Sequence, residues 1–246
     1  MPAQSGHDFQ YRIEDKVKAL GFETFPEESY MDDVELKPRK IDFVATQQRE
    51  SHNPRGNQLA LVVECKYLTQ DVECYTRPNP FDEDAYFIDG YAKQNLDRNR
   101  FHFLTIGKVI VNIKQEKSAD LYGATYQASK ALLYLRGSQR ILDKKGLFFP
   151  VVVYGGPGKI VDQDGKKLTS AVYFTKYEWK QPHTQDRAVS RSLYVDIIHE
   201  SEMEAFLENI HKREMDAVMG LVRFEEAMAE KKVGERRENQ WRNSAR

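Results

Sequence analysis

The sequence predicts an α/β protein with a central mixed sheet flanked by helices. Three observations lead to this prediction. An amphipathic helix pattern opens the chain, and a continuous apolar run at 59–63 is typical of a central strand covered on both faces. A helix pattern at 119–135 then precedes another apolar strand at 148–154. Because helices between buried strands pack on the faces of a sheet, the α/β class is expected.

The composition predicts a folded chain without an overall basic character. The chain has 246 residues, of which 40% are hydrophobic, and its 13 Phe and 13 Tyr supply bulky core material. The formal net charge is -1, so a strongly basic surface for nucleic acids is excluded at the level of the whole chain. The charge is uneven, however. Residues 1–35 contain nine acids and three bases, whereas 130–145 and the C-terminal tail are basic.

The number of cysteines and the length of the apolar runs indicate the cellular compartment. Cys65 and Cys74 are the only two cysteines, too few for a disulfide framework and without zinc-site spacing. The longest apolar runs have the length of strands rather than of membrane-spanning helices, and the first residues contain no apolar signal segment. We therefore expect a soluble, cytoplasmic protein with no membrane partner.

A first helix is predicted to begin at an N-cap residue, Asp8, and to stop at Gly21. Between them, apolar residues recur at spacings of four, four and three, which is typical of one buried helix face. These residues are Phe9, Ile13, Val17 and Leu20. Glu14 lies beside this stripe.

Two strands and a hairpin loop are predicted next. The first strand covers 40–45, the polar loop covers 47–57, and the central strand covers 59–67 and ends in charged residues. Side chains at positions i and i+2 of a strand share a face, so Glu64 and Lys66 should point together while Cys65 points to the opposite side.

The remaining chain completes a single domain. Residues 68–118 are interpreted as an insertion, since prolines and acidic residues interrupt every periodic pattern there. Later strands are predicted at 171–177 and 193–198, and a capping box at 201–204 should open a long helix. The prediction is thus a catalytic core over about 8–155, C-terminal strands and a long helix over 171–233, and a basic tail over 234–246.

The chemistry-bearing feature is a set of two carboxylates and a lysine, Asp42, Glu64 and Lys66. If neighbouring strands each end in one carboxylate, the two can share one hard cation. Mg²⁺ suits such a site because it needs few carboxylates and keeps several waters. An adjacent lysine suits phosphodiester hydrolysis, since it can orient or deprotonate the attacking water and offset developing negative charge.

An acid two residues before a lysine occurs several times in this chain, so the sequence context must decide which copy belongs to a site. Glu178-Trp179-Lys180 also follows an apolar strand, but its upstream acids lie in a glycine turn. The plain alternative is that Asp42 and Glu64 are solvent-facing acids at strand ends and that Lys66 forms a salt bridge with one of them.

With Glu14, then Lys40-Ile41-Asp42-Phe43-Val44, then Leu61-Val62-Val63-Glu64-Cys65-Lys66, the chain resembles the PD-(D/E)XK nuclease superfamily. It departs from the family name in having Ile41 where the proline would stand. The resemblance implies a restriction-endonuclease-like fold with an αβββαβ core, to which this chain adds an insertion and a C-terminal helix.

The resemblance also implies roles for particular residues. Asp42 and Glu64 would bind Mg²⁺ together with the backbone carbonyl of Cys65, and Lys66 would assist the attack of water. Glu14 would be an auxiliary acid. Some subfamilies carry a Gln or Lys on the helix after the core strands, where this chain has Gln127 and Lys130.

The expected function is that of a Mg²⁺-dependent nuclease in which Mn²⁺ can substitute. Double-stranded DNA is the expected partner, in a restriction, defence or repair setting, and a homodimer would allow both strands to be cut. Two alternatives remain open. One is a non-catalytic module that binds nucleic acid or supports assembly, and the other is a nuclease acting on RNA.

Overall fold

The computed structural model describes residues 6–32, 34–49, 57–78, 86–89, 100–101, 108–114, 119–138, 146–180, 188–208 and 210. Within these residues the elements follow one another along the chain. They are α1 (Gly6–Ala19), β1 (Glu23–Pro26), β2 (Ser29–Met31), β3 (Pro38–Lys40), β4 (Phe43–Arg49), β5 (Asn57–Tyr67), β6 (Val72–Pro78), β7 (Tyr86–Asp89), β8 (Arg100–Phe101), β9 (Lys108–Ile113), α2 (Ala119–Ser138), β10 (Gly146–Gly155), β11 (Ile160–Asp162), β12 (Ser170–Lys180), β13 (Ala188–His199), a 3₁₀ turn (Glu200–Glu202) and helical residues at 203–208 and 210.

The described strands form one large mixed sheet and one small hairpin. The path through the large sheet is β1-β4-β5-β10-β13-β12-β9-β6-β11, with β7 pairing the first residues of β10 and β8 pairing β7. Strand β4 runs antiparallel to both of its neighbours, β1 and β5, whereas β5, β10 and β13 run parallel to one another. Strands β2 and β3 form the separate hairpin. The predicted α/β class with a mixed sheet and helices is confirmed.

Strand β5 lies in the middle of the core, as its continuous apolar run predicts. Leu61, Val63 and Cys65 face α1, where they join a buried cluster with Phe9 and Ile13. The alternate positions face a second cluster on the side of α2. Their members are Ala60 and Val62 from β5 and Ala128, Ala131 and Leu132 from α2. Because β5 is covered on both faces, its last residues are carried into a protected setting.

The first helix follows the predicted stripe with different ends. Phe9, Ile13 and Val17 are fully buried, whereas Leu20 is 38% exposed because the helix stops at residue 19. The helix already begins at Gly6, so Asp8 lies in its first turn and not at the N-cap. A carboxylate in the first turn still interacts favourably with the helix dipole.

Two other boundaries differ from the predictions. The predicted strand at 40–45 is interrupted, since β3 ends at Lys40 and β4 begins at Phe43. The predicted capping box at Ser201 is wrong: the 3₁₀ turn is capped by His199, whose Nδ1 accepts a hydrogen bond from the Ser201 backbone N–H at 3.2 Å. The later residues of the predicted C-terminal helix and the basic tail at 234–246 lie outside the described residues.

The interval 68–118, interpreted as an insertion, contributes four described strands. Strands β6 and β9 pair with each other, and β9 continues the sheet through β12.

The turn after β5 packs closely on the end of β10. Gly156 has a φ of +101° there, and a Cβ at this position would lie 2.5 Å from the Leu68 carbonyl oxygen. This close approach needs glycine and fixes the chain directly after Lys66.

Candidate active site

Asp42 lies in the short connection between β3 and β4 and is fixed by three hydrogen bonds. Its backbone carbonyl accepts from the Glu27 N–H and from Gln10 Nε2, both at 2.9 Å. Its carboxylate Oδ2 accepts from the backbone N–H of Cys65 at 2.7 Å. The last bond spans from the start of β4 to the end of β5, so it places Asp42 directly beside the other predicted site residues.

Glu64 and Lys66 point to the same side of β5, as their i and i+2 spacing predicts. Lys66 Nζ donates to Glu64 Oε1 at 2.9 Å. Glu64 is 4% exposed, which rules out a solvent-facing carboxylate at this position. Glu64 Oε2 is also buried, and no described protein group forms a hydrogen bond with it. The predicted salt bridge therefore satisfies only half of the carboxylate.

Both carboxylates are held in a setting that disfavours their charged forms. Burial, together with the nearby negative charge of Asp42, raises the pKa of Glu64 to about 7. Burial also raises the pKa of Asp42, although its hydrogen bond from Cys65 and the charge of Lys66 oppose this shift. Both pKa values are raised by burial, and that of Glu64 is raised further by the charge of Asp42, so the ionised pair is costly unless a positive charge compensates it.

Lys66 balances part of this negative charge. Burial alone would lower its pKa, but the charge and hydrogen bond of Glu64 and the charge of Asp42 outweigh burial and raise the pKa. Asp120, in the first turn of α2, acts in the same direction. In the metal-free protein Lys66 is therefore protonated at neutral pH. Sequence reasoning missed Asp120, which lies 54 positions after Lys66 in the chain.

Glu14 is buried on α1 and is engaged away from the two carboxylates. Its Oε1 accepts a hydrogen bond from Thr24 Oγ1 at 2.7 Å and an ion pair from Lys18 Nζ at 2.8 Å. Burial alone would raise the pKa of Glu14, but these two partners outweigh burial and lower it. The hydrogen bond from Thr24 joins α1 to β1, which gives Glu14 a structural role.

Gln10, one helical turn before Glu14 on α1, forms a hydrogen bond with the Asp42 backbone. It is buried, and its side-chain amide supports the Asp42 backbone carbonyl. Sequence reasoning missed it. The sequence did contain a signal for it. Gln10 lies four residues before Glu14, so both polar residues stand on the same face of the helix, beside its apolar stripe.

The two auxiliary candidates on α2 are placed differently. Lys130 is buried and its Nζ donates to Asp32 Oδ1 at 2.7 Å, so its charge is committed to the β2–β3 hairpin. It also lies 4.7 Å from the centre of the Tyr126 ring. Gln127 is half-buried on the same helix. The structure thus brings Asp42, Glu64 and Lys66 together and gives Lys130 another partner.

A metal at this position would rely on two carboxylates and a backbone oxygen. In the described part of the chain, no three His, Cys, Asp or Glu side chains are placed to share a metal ion. Because the N–H and C=O of one strand residue point to the same side of the strand, the Cys65 carbonyl faces the side on which its N–H meets Asp42. The available oxygen donors are therefore Asp42, Glu64 and the Cys65 carbonyl.

Comparisons with models of protein families, with curated proteins and with solved structures find no match to this chain. Among the described helices, none is both long enough and apolar enough to cross a membrane.

Proposed function

We propose that this protein is a Mg²⁺-dependent nuclease of the PD-(D/E)XK type that hydrolyses phosphodiester bonds, with DNA as its substrate. The observation that carries the proposal is the convergence of Asp42, Glu64 and Lys66 at one edge of the buried sheet. Two acids with raised pKa values beside a protonated lysine are costly to bury, and such groups concentrate at functional sites.

The order of the elements supports the proposed fold family. Along the chain, α1, β1, β4, β5, α2 and β10 follow one another in the order αβββαβ, once the β2–β3 hairpin and the strands of 68–118 are set aside. These four strands are also neighbours in the sheet, in the order β1-β4-β5-β10. The carboxylates then stand at the start of the second core strand and near the end of the third.

The donor set fits Mg²⁺. Asp42, Glu64 and the Cys65 carbonyl offer hard oxygen ligands, and no described protein group donates a hydrogen bond to the buried Glu64 Oε2. Mn²⁺ accepts the same ligand types and would substitute. When bound, such an ion polarises the phosphodiester and lowers the pKa of a coordinated water.

Lys66 has a role that its contacts define. It is held by Glu64 at the boundary between the buried strand and solvent, with its side chain 26% exposed. A protonated amine at this point can donate a hydrogen bond to the water nucleophile or to a phosphate oxygen. It thereby orients the reacting groups and stabilises negative charge that develops on the phosphate.

We expect most substrate contacts to come from outside the acidic N-terminal region. Residues 1–35 carry nine acids and three bases, and Lys130 is already paired with Asp32. The other bases of 130–145 and those of 234–246 remain candidates for phosphate contacts, and their side chains lie outside the described residues.

The defining experiment is incubation of the purified protein with supercoiled, linear, single-stranded and branched DNA and with RNA. Each substrate is tested with Mg²⁺, with Mn²⁺ and with EDTA. The proposal expects cleavage that depends on the metal. Cleavage of RNA alone would replace the DNA assignment, and metal-independent binding without cleavage of any substrate would favour a non-catalytic binding module.

The raised pKa of Glu64 predicts a pH-dependent metal affinity. With a pKa of about 7, Glu64 is mostly protonated at pH 6 and mostly ionised at pH 8. Since Mg²⁺ binds the ionised carboxylate, we expect its affinity to be about tenfold higher at pH 8 than at pH 6. Calorimetric titration across this range measures the effect.

Glu64→Gln supplies the control for this titration, because it removes the titrating group. Its weaker Mg²⁺ binding should change little between pH 6 and pH 8.

The same titration affects stability. The metal-free wild type should lose stability as pH rises from about 4.5 to 7, because the folded state binds more protons than the unfolded state in this window. If the wild type and Glu64→Gln showed the same pH dependence of Mg²⁺ affinity and of stability, the assignment of this titration to Glu64 would be contradicted.

A further inference from the structure

Three buried side-chain atoms on adjoining elements have no hydrogen-bond partner among the described groups. They are the Tyr30 hydroxyl, Arg39 Nε and Glu64 Oε2. Arg39 Nε lies 3.1 Å from Asp32 Oδ2 but does not form a hydrogen bond with it. Buried polar groups are normally satisfied, so three such atoms on adjoining elements call for a partner other than the described protein groups.

These three residues lie around one place in the fold. Tyr30 on β2 is directly opposite Arg39 on β3. The Tyr30 ring is buried in the cluster under α2 with Ile41 and with Val62 of β5. Val62 and Glu64 are two residues apart on the same strand, so their side chains share a face. The Glu64 carboxylate therefore borders the cluster that contains the phenol.

The electrostatics agree with this placement. Burial raises the pKa of Tyr30, and the negative charge of Glu64 contributes the next largest increase. Glu64 thus lies close enough to the phenol for its charge to be felt across a buried region, where screening by solvent is weak.

The hairpin that carries Tyr30 is held in place. Asp32 accepts hydrogen bonds from Lys130 Nζ at 2.7 Å and from the backbone N–H groups of Val34 and Glu35 at 2.9 and 3.0 Å. The phenol therefore keeps a fixed position. A phenylalanine would fill the same apolar space without burying a hydroxyl, which indicates that the hydroxyl has a partner.

We propose that one internal water molecule joins the Tyr30 hydroxyl to Glu64 Oε2, so that Tyr30 is a positioning residue for the Glu64 carboxylate. Such a water donates to Glu64 Oε2 and accepts from the Tyr30 hydroxyl. Arg39 Nε can donate to its second lone pair, which gives the three partners typical of an internal water. Lys66 then holds one carboxylate oxygen and the water holds the other. The role in metal binding rests on the proposed function, whereas the hydrogen-bonded link does not.

A double-mutant cycle without metal tests the link. Tyr30→Phe is introduced into the wild type and into Glu64→Leu, and the unfolding equilibrium constant of each of the four proteins is measured with denaturant. We expect the effect of Tyr30→Phe to differ by about threefold or more between the two backgrounds. An identical effect in both would overturn the proposal. Tyr134→Phe, which removes a hydroxyl from another tyrosine packed on the same cluster, is the control and should be additive with Glu64→Leu.

Mn²⁺ titration tests the positioning role. We expect Tyr30→Phe to weaken Mn²⁺ binding by about tenfold, as loss of a ligand-orienting contact does, and Tyr134→Phe to leave it unchanged. Unchanged Mn²⁺ affinity in Tyr30→Phe would overturn the positioning role. If the wild type binds no Mn²⁺, the proposed function fails, while the metal-free cycle still decides whether Tyr30 and Glu64 are linked.

Discussion

Replacement of Lys66 by Met is expected to reduce Mg²⁺-dependent phosphodiester cleavage by about 10²–10⁴-fold. Methionine keeps most of the side-chain length and removes the charge and all three donors. The charges of Glu64 and Asp42 raise the pKa of Lys66 in the metal-free protein, so its loss removes a cation and a hydrogen-bond donor from the site. Asp42→Asn should cause a loss of similar size by weakening metal binding.

The measurement is the single-turnover cleavage rate on the best substrate of the panel, at one fixed Mg²⁺ concentration that just saturates the wild type. Lys180→Met is a matched control, since Lys180 ends β12 in the same acid-x-lysine pattern but in another part of the sheet. Its rate should equal that of the wild type. Full Mg²⁺-dependent activity in either Lys66→Met or Asp42→Asn would remove the site assignment.

Stability must be separated from activity in this experiment. Lys66→Met leaves the buried Glu64 carboxylate without its described ion-pair partner, which disfavours the folded state until Glu64 takes up a proton. The double variant Lys66→Met/Glu64→Gln avoids that buried charge and should regain stability without regaining activity. Thermal unfolding of both variants at pH 8 distinguishes a folded, inactive protein from an unfolded one.

The parts of the fold that could be predicted are those with a strong local pattern. The continuous apolar run of β5 predicts coverage on both faces, and the structure places it between two buried clusters. The i and i+2 spacing of Glu64 and Lys66 predicts their shared face, which their hydrogen bond confirms. The spacing of Phe9, Ile13 and Val17 likewise predicts the buried face of α1.

The remaining parts depend on contacts between distant segments. Lys130 meets Asp32 across 98 positions, and no local pattern of α2 distinguishes it from a solvent-facing lysine. Strands β1, β2 and β3 are only three or four residues long, too short for a periodic signal. The pairing of Glu14 with Lys18 is different, since the i, i+4 spacing of opposite charges was readable from the sequence.

Lys130→Met is expected to cause a large loss of stability. Lys130 and Asp32 are both buried, with side chains 6% and 3% exposed, and removing one member of a buried ion pair leaves the other charge without full compensation. We expect the free energy of unfolding to fall by roughly 3 kcal/mol at pH 7, the lower end of the range for a broken buried pair. The loss stays at this end because Arg39 remains as a second partner of Asp32.

The matched control is Lys114→Met, which breaks the Lys114–Glu73 pair at 2.9 Å between two half-exposed side chains. Exposed pairs contribute little, so this change should cost less than about 1 kcal/mol. Denaturant titration of both variants measures the contrast. Equal losses of unfolding free energy in the two variants would show that burial does not increase the contribution of the Lys130–Asp32 pair to stability.

The pH dependence identifies Asp32 as the group responsible. Burial alone would raise the pKa of Asp32, but its hydrogen bonds from Lys130 and from the Val34 and Glu35 backbone lower it to about 2. A carboxyl whose pKa is lower in the folded state contributes stability above its unfolded pKa of about 4, and this contribution is lost as pH falls through about 2. The stability difference between wild type and Lys130→Met should therefore narrow as pH falls from 4 to 2. A constant difference across this range would mean that Lys130 stabilises the fold through packing of its side chain and not through the charge of Asp32.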